Sequence, residues 1–141
     1  MKLEKLFEVK GQKLFKIDGG DEVAIKPEMA LPVKWSDVEH ANEVYDEEYL
    51  AKLREKLKSL EEKKDFVFIE PVFDKKASAE QFTSAMKHTA RRIKDCVSVI
   101  GFALPEEVIQ DAEFFIEELS AKHAQYCFFC KKPLKDDIVL Y

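Results

Sequence analysis

FVFIEPVFD, residues 66–74, is the stretch that decides the fold. Four apolar residues run in succession before Glu70 and Pro71, so apolar side chains stand at both odd and even positions. Such a run, rich in aromatic and β-branched residues, is typical of a strand buried on both faces, as in parallel sheets covered by helices. We therefore predict that residues 66–74 form the central strand of a mainly parallel sheet.

Amphipathic helices flank this strand. Before it, leucines recur at spacings of three and four within residues 45–64, which predicts a helix with one apolar face. After it, Ser78 and Gln81 form a capping-box pattern that begins a second helix over residues 78–94. A third helix is expected after Pro105, because proline is favoured in the first helical turn.

The remaining apolar runs predict strands. Two short runs within residues 6–17 are separated by a glycine-containing turn, which indicates an N-terminal β-hairpin. Pro32 interrupts MALPVKW, which indicates a sheet edge or a strand end at this position. Further strands are expected in CVSVIGFAL, YCFF and IVLY, at residues 96–104, 126–129 and 138–141. Strands that alternate with helices require right-handed crossovers and a mainly parallel sheet.

Together these elements predict one α/β domain over residues 1–141, with a mainly parallel sheet of four or five strands, at least three helices and an N-terminal hairpin. A complete eight-stranded barrel needs roughly 200 residues or more, so we expect a half-barrel or an open, flavodoxin-like sheet. An open half-barrel leaves edges that self-association would cover, which makes a homo-oligomer one expected state.

Composition narrows the classes of partner. The formal net charge is −5, which provides no large positive field for nucleic acid. No apolar run approaches the roughly 20 residues of a membrane span, so we expect no membrane partner. An odd count of three cysteines indicates a reducing compartment, and we expect a cytoplasmic location and no cofactor.

Cys127 and Cys130 form the one CxxC motif in the chain. Residues three apart in a strand point to opposite faces, which favours core packing over a metal site, so no metal is predicted. A turn that began at Phe129 would instead bring the two sulfurs together.

Candidate site residues follow the predicted strands, because ligands of parallel α/β sheets bind at the carboxyl ends of strands. The predicted strand ends carry, in chain order, Trp35, Glu70 with Asp74, Glu106 with Glu107, and Lys131 with Lys132. Strand ends are polar in any α/β protein, yet carboxylates beside a tryptophan also suit a sugar ring. We take Glu107 and Glu70 as candidate catalytic residues, and Trp35, Asp74 and Glu106 as candidate ligand-binding residues.

The order of LPVKW, YDEEYLAKLREKLKSL, FVFIEPVFD and HTARRIKDCVSVIGFALPEEV resembles the second to fourth βα units of cellulase-like glycoside hydrolases with (βα)8 barrels. The resemblance covers residues 29–108, and it implies that Glu107 occupies the position of the family's acid/base glutamate. Ala30 stands where that family has arginine, and Glu106 replaces the asparagine before the acid/base. The chain contains no later strand that would supply the nucleophilic glutamate.

These observations lead to three functional hypotheses. The first is a glycosidase-like protein without a complete active site, which acts by binding a carbohydrate or protein partner or by self-association. The second is a regulatory protein-interaction module, because a leading hairpin followed by alternating helices and strands resembles anti-sigma-factor antagonists, whose phosphoacceptor turn would fall at residues 74–78. The third is a glycoside hydrolase that uses Glu107. A sugar site predicts that Trp35, Glu70 and Glu107 share a cleft.

Overall fold

The computed structural model describes residues 3–141. Within that range the chain forms a five-stranded sheet, a three-stranded sheet, a two-stranded sheet and four α-helices. Two short 3-10 helices lie at Pro27–Met29 and Glu106–Asp111. The other elements, in chain order, are β1 (Phe7–Lys10), β2 (Lys13–Lys16), β3 (Glu22–Val23), β4 (Ala30–Lys34), α1 (Trp35–Val38), β5 (Glu39–Ala41), β6 (Val44–Tyr45), α2 (Glu47–Glu62), β7 (Val67–Val72), α3 (Ala79–Arg92), β8 (Val99–Leu104), α4 (Ala112–Ser120), β9 (Cys127–Cys130) and β10 (Ile138–Leu140).

The main sheet is parallel throughout and its strands follow chain order, β4-β7-β8-β9-β10. This confirms the predicted α/β class and parallel sheet. Sequential order is the connectivity of half a (βα)8 barrel, whereas a flavodoxin-like sheet reverses direction at a switch point. The prediction that residues 66–74 form the central strand is wrong: β8 occupies the centre, and β7 lies between β8 and the edge strand β4. Both strands are buried on both faces, so hydrophobic pattern does not distinguish them.

Each face of the main sheet has its own core. Helices α2, α3 and α4 cover one face, where Leu57, Phe82 and Phe115 join strand residues such as Ile69 and Phe102 in one buried cluster. Right-handed crossovers between neighbouring parallel strands put the helices on the same side, which explains why all three lie there. We call this side the helix face.

The opposite face is covered by the β1-β2-β3 sheet. Phe7 of β1 and Leu14 of β2 form a second buried cluster with Phe68, Cys127 and Phe129 of the main sheet. The predicted N-terminal hairpin is confirmed, and a third strand extends it. We call this side the inner face, because it corresponds to the interior of a complete barrel.

Both edges of the main sheet are protected. At one edge, β4 contains Pro32, which has no N–H, and the N–H of Ala30 donates to the carbonyl of Pro27. Pro32 therefore lies in an edge strand, as predicted. At the other edge, Leu140 N donates to Gln12 O at 3.1 Å, so the β1–β2 turn covers β10. Neither edge presents a free ladder of donors for pairing with a second copy.

Residues 36–43, SDVEHANE, are mostly polar, yet they contain ordered structure. They contribute to the short helix α1 and to the antiparallel pair β5-β6. Glu39 is the anchor of this segment: it is 2 % exposed and accepts hydrogen bonds from Trp35 Nε1 at 2.9 Å and from Glu43 N at 2.7 Å. A carboxylate buried in this way satisfies two donors, so the segment is held by a polar contact that hydropathy does not reveal.

Gly101 permits the close approach of β8 and β9. Pairing of β7 with β8 shifts by one residue between Val67 and Ile69, and Gly101 lies in the irregular part of β8. A Cβ atom on Gly101 would lie 1.6 Å from the carbonyl oxygen of Cys127, which is backbone and has no room to move. Only glycine fits here, because the obstacle is steric and comes from the neighbouring strand.

We expect Gly101→Ala to lower the free energy of unfolding by about 3 kcal/mol or more, because the added methyl group forces β8 and β9 apart. Chemical denaturation of purified protein measures this change. Gly11→Asn is the control: Gly11 has φ of +55° but open space around it, and asparagine tolerates that conformation, so a loss below about 1 kcal/mol is expected. Equal losses in the two variants would contradict the steric explanation.

Candidate functional site

The inner face of the sheet carries polar side chains near the carboxyl ends of its strands. The β1-β2-β3 sheet covers the part nearer the amino ends, where the Phe7 ring meets the Phe66 ring edge-to-face at 5.1 Å. Farther along β7, Glu70 has the same orientation as Phe68, because successive strand residues alternate between faces. Glu70 is half-buried, and Val72 beyond it is exposed.

Tyr141 reaches Glu70 across two intervening strands. Its hydroxyl donates to Glu70 Oε2 at 2.6 Å, and its backbone N–H donates to Cys130 O at 3.1 Å. β10 and β7 are separated by β9 and β8, so this contact ties the last residue of the chain to the second strand of the sheet. Ala103 of β8 is the small inner-face residue at this level.

Aromatic rings form the floor beneath this hydrogen bond. Phe68 and Phe129 stack with their centroids 4.1 Å apart and their planes 6° apart. The Tyr141 ring stands edge-on to Phe68 at 4.9 Å and to Phe129 at 6.3 Å. Stacked and edge-to-face arrangements are the preferred ones for aromatic pairs. The phenol is thereby held in one orientation toward Glu70.

The hydrogen-bond role of Tyr141 is set by its surroundings. Burial raises the pKa of the phenol, and the hydrogen bond to Glu70 and the charge of that carboxylate raise the pKa further. The phenol therefore stays protonated at physiological pH and acts as a donor. Lys131 Nζ lies 5.5 Å from the centre of the Tyr141 ring, a cation–π distance. We name Glu70, Lys131 and Tyr141 the inner-face cluster.

Trp35 lies away from this cluster. The indole belongs to the core on the helix face, is 8 % exposed and donates through Nε1 to Glu39. Stacking on a sugar requires an accessible ring face, which this tryptophan does not present. The expected cleft shared by Trp35, Glu70 and Glu107 is therefore not formed, because Trp35 and Glu70 are on opposite faces of the sheet.

The other predicted site residues follow the ends of β7 and β8. Asp74 holds the turn after β7, since its Oδ1 accepts from Lys76 N at 2.9 Å and its carbonyl accepts from Ala77 N at 2.9 Å. Glu106 and Glu107 begin the 3-10 helix after β8, and both side chains are exposed. The structure thus joins Glu70 to Tyr141, brings Lys131 over the Tyr141 ring, and places the remaining acids in separate segments after β7 and β8.

Sequence reasoning missed Tyr141, and it placed Lys131 at a strand end without choosing it as a site residue. The alternation of IVLY signals that Tyr141 shares a face with Val139, and a similar count from Phe129 puts Lys131 on that face. Strand order was the missing information. Without it, nothing indicated that Tyr141 lies close enough to β7 to contact Glu70, or that Lys131 lies over the Tyr141 ring.

A second polar cluster joins α2 to α3. Glu47 accepts from Arg92 Nε at 2.9 Å and lies 2.8 Å from His88 Nε2, while the Tyr45 ring stacks on His88 at 4.2 Å. The hydrogen bond from Arg92 lowers the pKa of the Glu47 carboxyl, and His88 lowers the pKa further. Every ionisable group here has an opposite charge or a hydrogen bond nearby, so the cluster is best explained as a link between helices.

A small polar cavity of about 290 Å³ lies between the β5-β6 pair and the start of α3. Glu39, Tyr45 and Ser78 line it. Ser78 is the N-cap of α3, as the capping-box pattern predicts, and its Oγ accepts from Gln81 N at 3.0 Å. Its hydroxyl therefore has a structural role whether or not a ligand enters the cavity.

The cysteines pack in the core. Cys127 lies in the hydrophobic core on the inner face and Cys130 in the core on the helix face, so the two sulfurs of the CxxC motif lie on opposite faces, as predicted. Burial raises the pKa of the Cys96 and Cys127 thiols to about 11, which keeps both thiols unreactive at neutral pH.

Among residues 3–141, no three histidine, cysteine or acidic side chains are arranged to hold a metal ion. No helix in this range is long and apolar enough to cross a membrane.

We expect Tyr141→Phe to lower the free energy of unfolding by about 1 to 2 kcal/mol, because it removes a hydrogen bond to a carboxylate. The loss in the double variant Tyr141→Phe/Glu70→Gln should fall short of the sum of the single losses. Tyr126→Phe is the control: within the described residues its hydroxyl is buried without a hydrogen-bond partner, so its removal should be neutral or stabilising. Additive losses at positions 70 and 141 in denaturation experiments would rule out the coupling.

The link between α2 and α3 should weaken in acid. The folded-state pKa of Glu47 lies below its unfolded value, so ionised Glu47 stabilises the fold above the ordinary carboxyl pKa. That contribution is lost as the pH falls through the lowered folded-state value. We expect Arg92→Gln to reduce stability near pH 7 and to approach the wild type as the pH falls through the lowered pKa of Glu47, because a neutral Glu47 no longer gains from Arg92. Arg91→Gln, an exposed neighbour, is the control, and a pH-independent deficit for Arg92→Gln would contradict the mechanism.

No protein-family model, curated protein or solved structure matches this chain. The cellulase-like resemblance accordingly remains a reading of the short sequence stretches quoted above. Because one fold supports many unrelated functions, function has to be argued from the side chains of the inner face and their geometry.

Proposed function

We propose that the chain is a non-catalytic binding module and that it binds a carbohydrate on the inner face of the sheet, at the carboxyl ends of the strands. The observation that carries the proposal is the inner-face cluster, in which the Tyr141 hydroxyl holds Glu70 at 2.6 Å and Lys131 lies above the Tyr141 ring. Ligands of parallel α/β sheets bind at this end of the strands.

The chemistry of the cluster suits hydroxyl groups. The Tyr141 hydroxyl donates to Glu70 Oε2. Within the described residues Glu70 Oε1 has no hydrogen-bond partner, so this oxygen offers a ligand an acceptor at a fixed position. The Lys131 ammonium offers donors, and its side chain is exposed. Sugar hydroxyls both donate and accept, so one ligand can use both groups. The net charge of −5 disfavours nucleic acid on this surface.

Binding is favoured over hydrolysis by the state of these groups. Glycoside hydrolysis uses two carboxyl groups on either side of the scissile bond. Glu70 is engaged by a phenol that stays protonated, so neither Glu70 nor Tyr141 is prepared to act as a nucleophile. Glu107 remains the candidate acid/base that the family resemblance implies. Hydrolysis by Glu107 is the alternative that requires a second acid from elsewhere.

Self-association is less well supported than ligand binding. Pro32 and Ala30 leave β4 with few free donors, and the β1–β2 turn occupies the edge of β10. Continuation of the sheet into a second copy would have to displace these contacts. Edge-to-edge assembly is therefore not part of the proposed function.

A regulatory protein-interaction module is the second candidate function. The observation in its favour is that Ser78 is exposed and lines the 290 Å³ cavity beside Glu39 and Tyr45. A phosphate on Ser78 would stand at the N-terminus of α3, where negative charge is favoured. This candidate involves the start of α3, and the carbohydrate proposal involves the inner face, so the two can be separated by mapping.

Titration with cellohexaose tests the carbohydrate proposal, with amide chemical shifts as the measurement. We expect saturable shifts at residues 70, 131 and 141 with a dissociation constant of about 1 mM or tighter. Glu70→Gln and Lys131→Gln should each weaken binding by about tenfold. The matched controls are Glu62→Gln and Lys132→Gln, which make the same charge changes at exposed positions outside the cluster and should bind normally.

Three results would overturn the proposal. The first is the absence of saturable shifts in the wild type. The second is binding that Glu70→Gln and Lys131→Gln leave unchanged. The third is cleavage of cellohexaose that is lost in folded Glu107→Gln, which would establish the hydrolase alternative.

A further inference from the structure

No helix connects β9 to β10, so the helix layer stops short of the β10 edge of the sheet. The crossovers from β4 to β7, β7 to β8 and β8 to β9 contain α2, α3 and α4, but residues 131–137, which join β9 to β10, contain no helix. Consequently no crossover helix packs over β10 on its outer side. A parallel sheet normally has both faces covered, so this gap is unusual for the fold.

An apolar groove of about 480 Å³ occupies the gap between α4 and β10. Its apolar lining is Ile109, Ala112, Phe114, Ile116, Leu134 and Ile138. We call it the α4–β10 groove. Except for Phe114 and Ile138, these residues are only partly buried by the chain's own core. The groove therefore presents apolar surface that the fold of this chain leaves uncovered.

The exposed aromatic residue of α4 is Phe114. It is 40 % exposed, whereas the next residue, Phe115, is completely buried in the helix-face core. Leu140, which alternates onto the same face of β10 as Ile138, is 42 % exposed. Leu140 is outside the lining, whereas Phe114 lines the groove and adds its exposed ring to a continuous apolar surface, which indicates an interaction surface more strongly than an isolated exposed residue does.

The charged rim of the groove is acidic on balance, because Asp111 and Glu113 line its α4 side against one lysine. Asp136 and Asp137 lie outside the lining, in a connection that also contains Lys131 and Lys132. Lys135 is the basic residue of the lining, and its Nζ already pairs with Glu113 at 3.2 Å. α4 itself contains no lysine or arginine. A partner that fills the groove would meet this negative rim, so a basic partner is electrostatically favoured.

We propose that the α4–β10 groove binds an amphipathic helix of a protein partner, with apolar residues on one face and lysine or arginine along both flanks. The helix takes the position that a crossover helix between β9 and β10 would occupy. Such a helix fits an apolar groove through anchors spaced three, four and seven residues apart. This surface is independent of the inner face, which lies on the other side of the sheet.

A second copy of this chain is a poorer occupant. Two grooves facing each other across a two-fold axis would bring their acidic rims together, because a two-fold interface pairs the same patch with itself. The lysine-rich helix α2 does not offer the complementary surface either, since its apolar residues Leu50, Leu53 and Leu57 are buried in its own core.

The test uses a labelled synthetic peptide of about 15 residues, patterned as an amphipathic helix with leucine anchors and lysine flanks. A second peptide replaces every lysine with glutamate. We expect the lysine peptide to give saturable fluorescence anisotropy with wild-type protein, and the glutamate peptide to bind at least about tenfold more weakly. Phe114→Ala should weaken binding of the lysine peptide by about tenfold.

Two matched variants separate the groove from general attraction to an acidic protein. Ile17→Ala truncates another exposed apolar residue, and Glu55→Lys makes the same charge change on α2 that Glu113→Lys makes on the rim. Thermal melts establish that all variants are folded. The proposal stands if Phe114→Ala and Glu113→Lys weaken binding more than their controls. Failure of the lysine peptide to saturate, equal binding of both peptides, or equal effects of the control variants would overturn it.

Discussion

A parallel sheet has to be buried on both faces, and this requirement shapes the rest of the molecule. Three crossover helices bury the helix face, where the larger core lies. The chain forms five parallel strands and does not close into a barrel, so the inner face needs a separate cover. The β1-β2-β3 sheet provides it, with Phe7 and Leu14 packed against Phe68 and Phe129. Without this N-terminal sheet, those aromatic rings would face water.

The size of that cover determines which part of the inner face stays uncovered. It packs over the inner face near the amino ends of β7 and β9, where Cys127 Sγ approaches the carbonyl of Phe7 at 3.6 Å. The carboxyl ends remain open, and Glu70 is held there by Tyr141 over the stacked Phe68 and Phe129 rings. Packing and site are therefore linked, because the same aromatic floor belongs to the core and orients the hydrogen bond.

The two sides of the sheet are incomplete in different ways. On the helix side, the short connection from β9 to β10 leaves the α4–β10 groove apolar and bordered by acids. On the inner side, the open region is polar and carries Glu70 and Lys131. An apolar groove suits a helix of a partner, whereas an acceptor and a donor near an aromatic ring suit a hydroxylated ligand. At the edges of the sheet, by contrast, Pro32 removes a hydrogen-bond donor from β4, and the β1–β2 turn accepts a hydrogen bond from β10.

The sequence by itself determined the longer helices, the strands of the parallel sheet and the class of fold. Leucine spacing predicted α2, the Ser78 cap predicted the start of α3, and doubly apolar runs predicted the parallel strands, because these signals are local and depend on near neighbours in the chain. Tertiary structure alone decided that β8 is central, that Trp35 lies in the core with Glu39, and that Tyr141 meets Glu70. Each of these three features depends on strand order or on contacts between residues distant in sequence. Periodicity along the chain does not indicate which strands are neighbours in space.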